Sequence, residues 1–170
     1  MQFIRHLLSI LLLPGMAAGV MPWWLLHSCA GLDSRWPDVP AAWMARIVGA
    51  LVLAAGLGLF GWCVLLFARV GQGTLAPWDP TRKLVAVGPY RHVRNPMISG
   101  VALVLAGLGL IMGSWLVAAW AGAFFCINHA YFLLSEEPGL EGRFGGSYRE
   151  YKAAVPRWLP MLKPWSGGVP

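Results

Sequence analysis

The 39 residues from Met97 to Ser135 carry no formal charge. At ~1.5 Å per residue, one unbroken helix of that length would measure ~58 Å, about twice the ~30 Å hydrocarbon layer of a bilayer. The stretch must fold back on itself. Gly113-Ser114 is the natural turn and gives arms of 97–112 and 115–134. The first arm is short for a full span and is expected to tilt or to sit toward one face.

Two further apolar runs precede this hairpin. Residues 7–26 follow Arg5 and His6 and end with Trp23-Trp24, a pair suited to the membrane interface. Ala17-Ala18-Gly19 would suit signal-peptide cleavage, but the run continues beyond it to ~20 residues, so it reads as a retained anchor. Residues 45–68, flanked by Arg46 and Arg69, form a spanning helix with small residues at Gly49, Ala54, Gly56, Gly58 and Gly61, which permit close packing. Composition agrees: 58% of the chain is hydrophobic and 12% charged, about half the ~25% charged share of globular proteins. So few charges cannot cover a water-facing surface. The expected fold is an all-α integral membrane protein, a single domain of about four transmembrane helices (7–26, 45–68, 97–112, 115–134). A loop at 69–96 and a cytoplasmic tail at 136–170 complete it.

The net charge of +6 would suit nucleic acid, but no basic recognition module is present. The cations lie between the apolar runs. Arg5, Arg69, Arg82, Lys83, Arg91 and Arg94 share one side with the tail's Arg143, Arg149, Lys152, Arg157 and Lys163, whereas the 27–44 loop sets Arg35 against Asp33 and Asp38. The positive-inside rule makes the basic side cytoplasmic, with both termini inside, as in a bacterial inner membrane. Cys29, Cys63 and Cys126 are widely spaced and form no CxxC pair, which argues against a disulfide framework and a structural metal site.

This topology returns Arg94-Asn95-Pro96 to the neighbourhood of Glu136-Glu137 across the hairpin. Asn95 before Pro96 marks a helix start, a capping residue followed by a first-turn proline, and such a start presents backbone N–H groups to an anion. Capping alone accounts for Asn95-Pro96 but not for Arg94 and Tyr90 beside it. Two adjacent glutamates at the exit of an apolar helix oppose the helix dipole, so a purely structural role is a poor account of them. Two carboxylates facing Arg94 would hold a zwitterion. Asn128 and His129 lie one to two turns deeper, where polar groups are either functional or engaged between helices.

At these residues the chain resembles the membrane methyltransferases that include phosphatidylethanolamine N-methyltransferase and isoprenylcysteine carboxyl methyltransferase. The resemblance covers roughly 50–160. Gly56-Leu57-Gly58 followed by Gly73-Thr74 is similar to the Gly-x-Gly region of the phospholipid enzymes. Asn95-Pro96-Met97 with Gly100 matches their helix-start motif, and Glu136-Glu137-Pro138 their acidic motif. Gly88-Pro89-Tyr90 with Arg94, and the pattern from Arg143-Phe144-Gly145 through Tyr148 and Tyr151 to Val155-Pro156, resemble the wider superfamily. Departures at Asn95, Ile98 and Ala154 count against an isoprenylcysteine substrate. The resemblance implies S-adenosylmethionine as cofactor and a lipid or other amphiphile as acceptor. It assigns Arg94, Asn95, Pro96 and Gly100 to the methionyl carboxylate end, and Glu136 and Glu137 to the amino group or ribose. Tyr90 and Tyr148 would lie near the sulfonium, and Gly56 and Gly58 in the cofactor-binding helix. His129 is the candidate base, if the acceptor must lose a proton. The alternatives are an NADPH-dependent reductase of the sterol-reductase type, which shares the tail pattern, and a non-catalytic lipid-binding relative.

Overall fold

The protein is described by a computed structural model over residues 11–33, 35–37, 39–71 and 83–167. The start of the first apolar run, most of the 69–82 segment and the Gly73-Thr74 element lie outside these described residues.

The first helix begins as a π-helical stretch, Leu11–Val20, and continues as α1, Met21–Ser28. Both parts carry a proline, Pro14 and Pro22. In a π register the Ala17 carbonyl looks to residue 22, and Pro22 has no N–H to give. The indole Nε1 of Trp120 donates to that carbonyl at 2.8 Å, tying the first helix to the hairpin.

Helix α2, Pro40–Leu66, starts with Pro40 in its first turn, where a missing N–H costs nothing. A π turn, Phe67–Gly71, extends it. Its Gly49, Gly56 and Cys63 are buried and recur every seven residues, so they form one stripe. That stripe packs on α3, Pro96–Met112, through Gly100 and Gly107. A Cβ on Gly56 would lie 2.8 Å from the Gly100 carbonyl oxygen, and one on Gly107 2.7 Å from that of Gly49. The two backbones touch.

The chain turns at Gly113, whose φ of 63° suits glycine, and at Ser114, whose Oγ caps the next helix by accepting from the Val117 amide at 3.2 Å. Asp33, on the preceding connection, accepts from Ser114 Oγ at 2.9 Å and from the Leu116 amide at 3.3 Å, while the Trp36 amide donates to the Gly113 carbonyl at 3.0 Å.

Helix α4, Trp115–Tyr131, passes through a π turn, Phe132–Glu136, directly into α5, Glu137–Ala154. This corrects the expected helix end at 134 and the tail beginning at 136. Pro138 looks like a breaker, but the π turn just before it widens the coil where the proline ring would meet the preceding carbonyls. Within α5, Gly145 at φ 54° introduces a kink. Six of its eighteen residues (Glu137, Glu141, Arg143, Arg149, Glu150 and Lys152) are charged, so the apolar part of this long helix ends near residue 134.

No strand occurs among the described residues, only an isolated bridge between Arg35 and Ser114. Two helices are long and apolar enough to cross a membrane, Pro40–Val70 and Trp115–Ala154, and their most apolar stretches are only 11% buried. The core helix of a soluble protein would be mostly covered, whereas α2 turns Trp43, Met44, Ile47, Leu51 and Leu57 outward. Helix α3, at 17 residues, is the shorter apolar helix held between them.

Candidate active site: a polar cluster beside an amphipathic cavity

Lys83–Val87 runs into a short 3-10 turn, Gly88–Arg91, that leads to α3. The segment after α5 folds back over this turn and secures it. The Arg94 amide donates to the Pro156 carbonyl at 2.9 Å, the Met161 amide to the His92 carbonyl at 3.0 Å, and the Trp165 amide to the Arg91 carbonyl at 2.9 Å. From α5, the Tyr151 hydroxyl donates to the Tyr90 carbonyl at 2.6 Å. The residues immediately before α3 are thus fixed from two sides.

Arg94 meets Glu137, forty-three residues away, with Nη1 to Oε1 at 2.9 Å. Glu137 is 3% exposed and has two further cationic partners. Arg157 donates to both carboxylate oxygens, at 2.6 and 3.0 Å, and Lys152 Nζ lies 3.2 Å from Oε2. Burial pushes the Glu137 carboxyl up, but Arg157, Arg94 and Lys152 outweigh that and hold it below its ordinary value. Glu137 is therefore a buried anion saturated by cations from three chain segments. It does not line the cavity described next, and the structure places it, expected at a bound amino group or ribose, against Arg94 instead.

A cavity of about 770 Å³ opens beside this cluster, toward the upper end of the ~300–1,000 Å³ usual for small-molecule sites. Its polar end is walled by Tyr90, Arg94, Asn95, Glu136, Arg143 and Tyr148. Two donors there have no hydrogen-bond partner among the described residues: Arg94 Nε and Asn95 Nδ2. Both residues are enclosed; the Arg94 side chain is 9% and Asn95 4% exposed. Asn95 was expected to cap α3, but its side chain makes no capping bond; its backbone carbonyl accepts from Ser99 instead. Its Nδ2 is left without a partner among the described residues. A buried donor without a partner costs about 1–3 kcal/mol, which a ligand acceptor would recover.

The other expected site residues divide. Tyr90, Arg94, Asn95, Glu136 and Tyr148 converge on the cavity wall. The Tyr90 phenol is held well above its ordinary pKa by burial and by the neighbouring Cys63. Pro96 is fully buried at the start of α3. Gly56 and Gly100 are engaged in the α2–α3 contact, and Gly58 faces outward with nothing within 4 Å of a Cβ. His129 does not reach the cavity: its Nδ1 accepts from Trp158 Nε1 at 2.9 Å, within an aromatic group with Phe125. Its neighbour Asn128 does line the wall. The sequence reading missed Arg157 as a partner of Glu137, although it stands one residue beyond the Val155-Pro156 element, and it missed Trp120.

Apolar helices with outward-facing hydrophobic surfaces, around an amphipathic cavity at the end of a hairpin, fit a helical membrane protein. The family profile of phospholipid methyltransferases matches residues 44–147, which takes in most of α2, the site loop, α3, α4 and the acidic pair. The chain belongs to the phospholipid methyltransferase family. It is also 37% identical over 65 residues to an uncharacterized protein of Haemophilus influenzae, a match covering 37% of this chain and the whole of that protein.

Proposed function

We propose that this protein is an S-adenosylmethionine-dependent methyltransferase that methylates an amine-bearing phospholipid or related amphiphile. The observation that carries the proposal is the pair of buried, unpartnered donors, Arg94 Nε and Asn95 Nδ2, on a wall that also holds the Glu136 carboxylate. Donors and a carboxylate on one wall suit the methionyl zwitterion: Arg94 and Asn95 would take its carboxylate, and Glu136 its ammonium. Tyr90 and Tyr148 supply aromatic faces beside that position, where a cation is stabilised. When bound, the cofactor supplies an activated methyl group.

The chain's contribution is orientation and exclusion of water, which on their own account for much of the rate of a two-substrate transfer. Glu137 and Arg157 hold Arg94 in place. No histidine lines the cavity among the described residues and no side-chain base is assigned; the acceptor would attack as its free amine, its ammonium proton having passed to water before the site closes. The proposal includes four spans, with the 69–96 loop and both termini on the cytoplasmic face, where the cofactor is dissolved and the cations cluster.

The test is incubation of the full chain in nanodiscs with methyl-labelled S-adenosylmethionine and phosphatidylethanolamine, with an isoprenylcysteine amphiphile in a parallel reaction. Label should appear in the phospholipid amine. Label confined to the isoprenylcysteine carboxyl would overturn the acceptor assignment, and no saturable donor binding would overturn the whole reading.

A further inference from the structure

The cavity does not stop at the polar cluster. Its wall on the long helix runs through Trp120, Phe124, Ile127, Tyr131, Phe132 and Glu136, a stripe at helical spacing. Sixteen residues separate Trp120 from Glu136, so at ~1.5 Å per residue the stripe is ~24 Å long, most of the ~30 Å hydrocarbon layer. Beyond the polar end the lining is apolar apart from Asn128, whose amide donates to the Phe124 carbonyl at 2.8 Å: Ile98 and Val101 from α3, Phe60 from α2, Phe124 from α4, then Pro14 and Ala17 from the first helix. The far end is marked by the bond from the Trp120 indole to the Ala17 carbonyl. A water-soluble acceptor has no use for such an arm.

We infer that this arm holds one alkyl chain of the acceptor, lying between the first helix and the α3–α4 hairpin, and that Trp120 and Ala17 set how deep the chain can reach. The inference rests on the methyltransferase reading for the position of the headgroup, since the amine must lie beside the polar cluster while its chain follows the apolar wall. A chain leaving the bilayer for an equally apolar slot gains little transfer energy. The arm therefore selects by shape: chains that fit are accepted, and a bulge on its wall rejects them.

Phosphatidylethanolamine with a diazirine at the end of one acyl chain tests this, photolysed with the full chain in phosphatidylglycerol nanodiscs and without methyl donor. Adducts should map to the wall around Ala17, Val101, Trp120 and Phe124. Val101→Trp narrows the arm from α3, and Ala17→Leu narrows it from the first helix. Each should lower adduct yield about five- to a hundredfold, the equivalent of an overpacking cost of 1–3 kcal/mol, and two variants on separate helices guard against one misfolding. Adducts confined to outward residues such as Leu51, Leu57 and Trp62, or yields unchanged in both variants, would overturn the inference. Because no donor is present, this outcome is independent of S-adenosylmethionine titration, which tests the underlying reading.

Discussion

Helix α3 meets α2 backbone to backbone, with Gly100 and Gly107 set against Gly56 and Gly49. Toward α4 it is close near the turn, where a Cβ on Gly109 would lie 3.3 Å from the Ala118 amide nitrogen, and farther along it packs side chain on side chain through Leu105 and Phe124, while Ile98 and Val101 line the cavity. One interface is made of small residues and has no room, while the other uses larger residues to frame a space. The contrast shows how a 17-residue helix can be both anchor and wall. Its glycine face fixes it to α2, while larger side chains on its other face pack on α4 and line the site. Of the glycines that resemble a cofactor motif, Gly56 thus contributes by holding the wall still, whereas Gly58 faces outward.

Substitution at the tight interface should have the largest effect. Gly56→Leu forces a side chain into the Gly100 carbonyl and should cost about 3 kcal/mol or more, read as a large fall in melting temperature or in folded yield in detergent. Gly58→Leu, two residues away on the outward face, should stay within about 0.5 kcal/mol of wild type. Equal loss in the two variants would erase the distinction between the faces.

The open interface is closed at its polar end by Glu137, so its loss should rank next. Glu137→Gln keeps the shape but removes the charge shared by Arg94, Arg157 and Lys152, and should cost about 1.5–3 kcal/mol. Because the Glu137 carboxyl is held below its ordinary value of about 4, its stabilisation is fully present above that value. It disappears as pH falls through the lower folded value. Melting temperature followed against pH should show an acid limb in wild type that is shallower in Glu137→Gln; identical limbs would remove Glu137 from the cluster.

The smallest effect is expected outside both interfaces. Trp158→Phe removes the bond to His129 and should cost about 0.5–1.5 kcal/mol while leaving S-adenosylmethionine affinity unchanged, since neither residue lines the cavity. A large loss of donor affinity would return His129 to the site.

Much of this architecture was legible from charge and length. A charge-free stretch too long for one span requires a hairpin, and the hairpin alone predicts that Arg94 and Glu137 come together. What was not legible depended on geometry at single residues. Glu136-Glu137-Pro138 reads as a helix exit because a π turn that accommodates a proline leaves no compositional mark. The same hidden continuity separates two adjacent glutamates, placing Glu136 on the cavity and Glu137 among cations behind it. Asn95 reads as a cap because capping is its commonest use before Pro96, yet here Ser99 bonds its backbone and its Nδ2 is left without a partner among the described residues. The role of Trp120 depends on a carbonyl that Pro22 leaves without an N–H more than ninety residues earlier, a pairing no local pattern announces.

The central claim is that Arg94 binds the donor's carboxylate from the polar end of the cavity. Titrating S-adenosylmethionine and S-adenosylhomocysteine against wild type and Arg94→Lys tests it most directly. Lysine keeps the charge near Glu137, where Arg157 and Lys152 also remain, so melting temperature should change little. It lacks the planar fork and the Nε–H that has no partner among the described residues, so affinity for both compounds should fall in parallel by about tenfold or more. Equal affinities in wild type and variant, with the fold intact, would contradict the account and leave Arg94 as a structural partner of Glu137 alone.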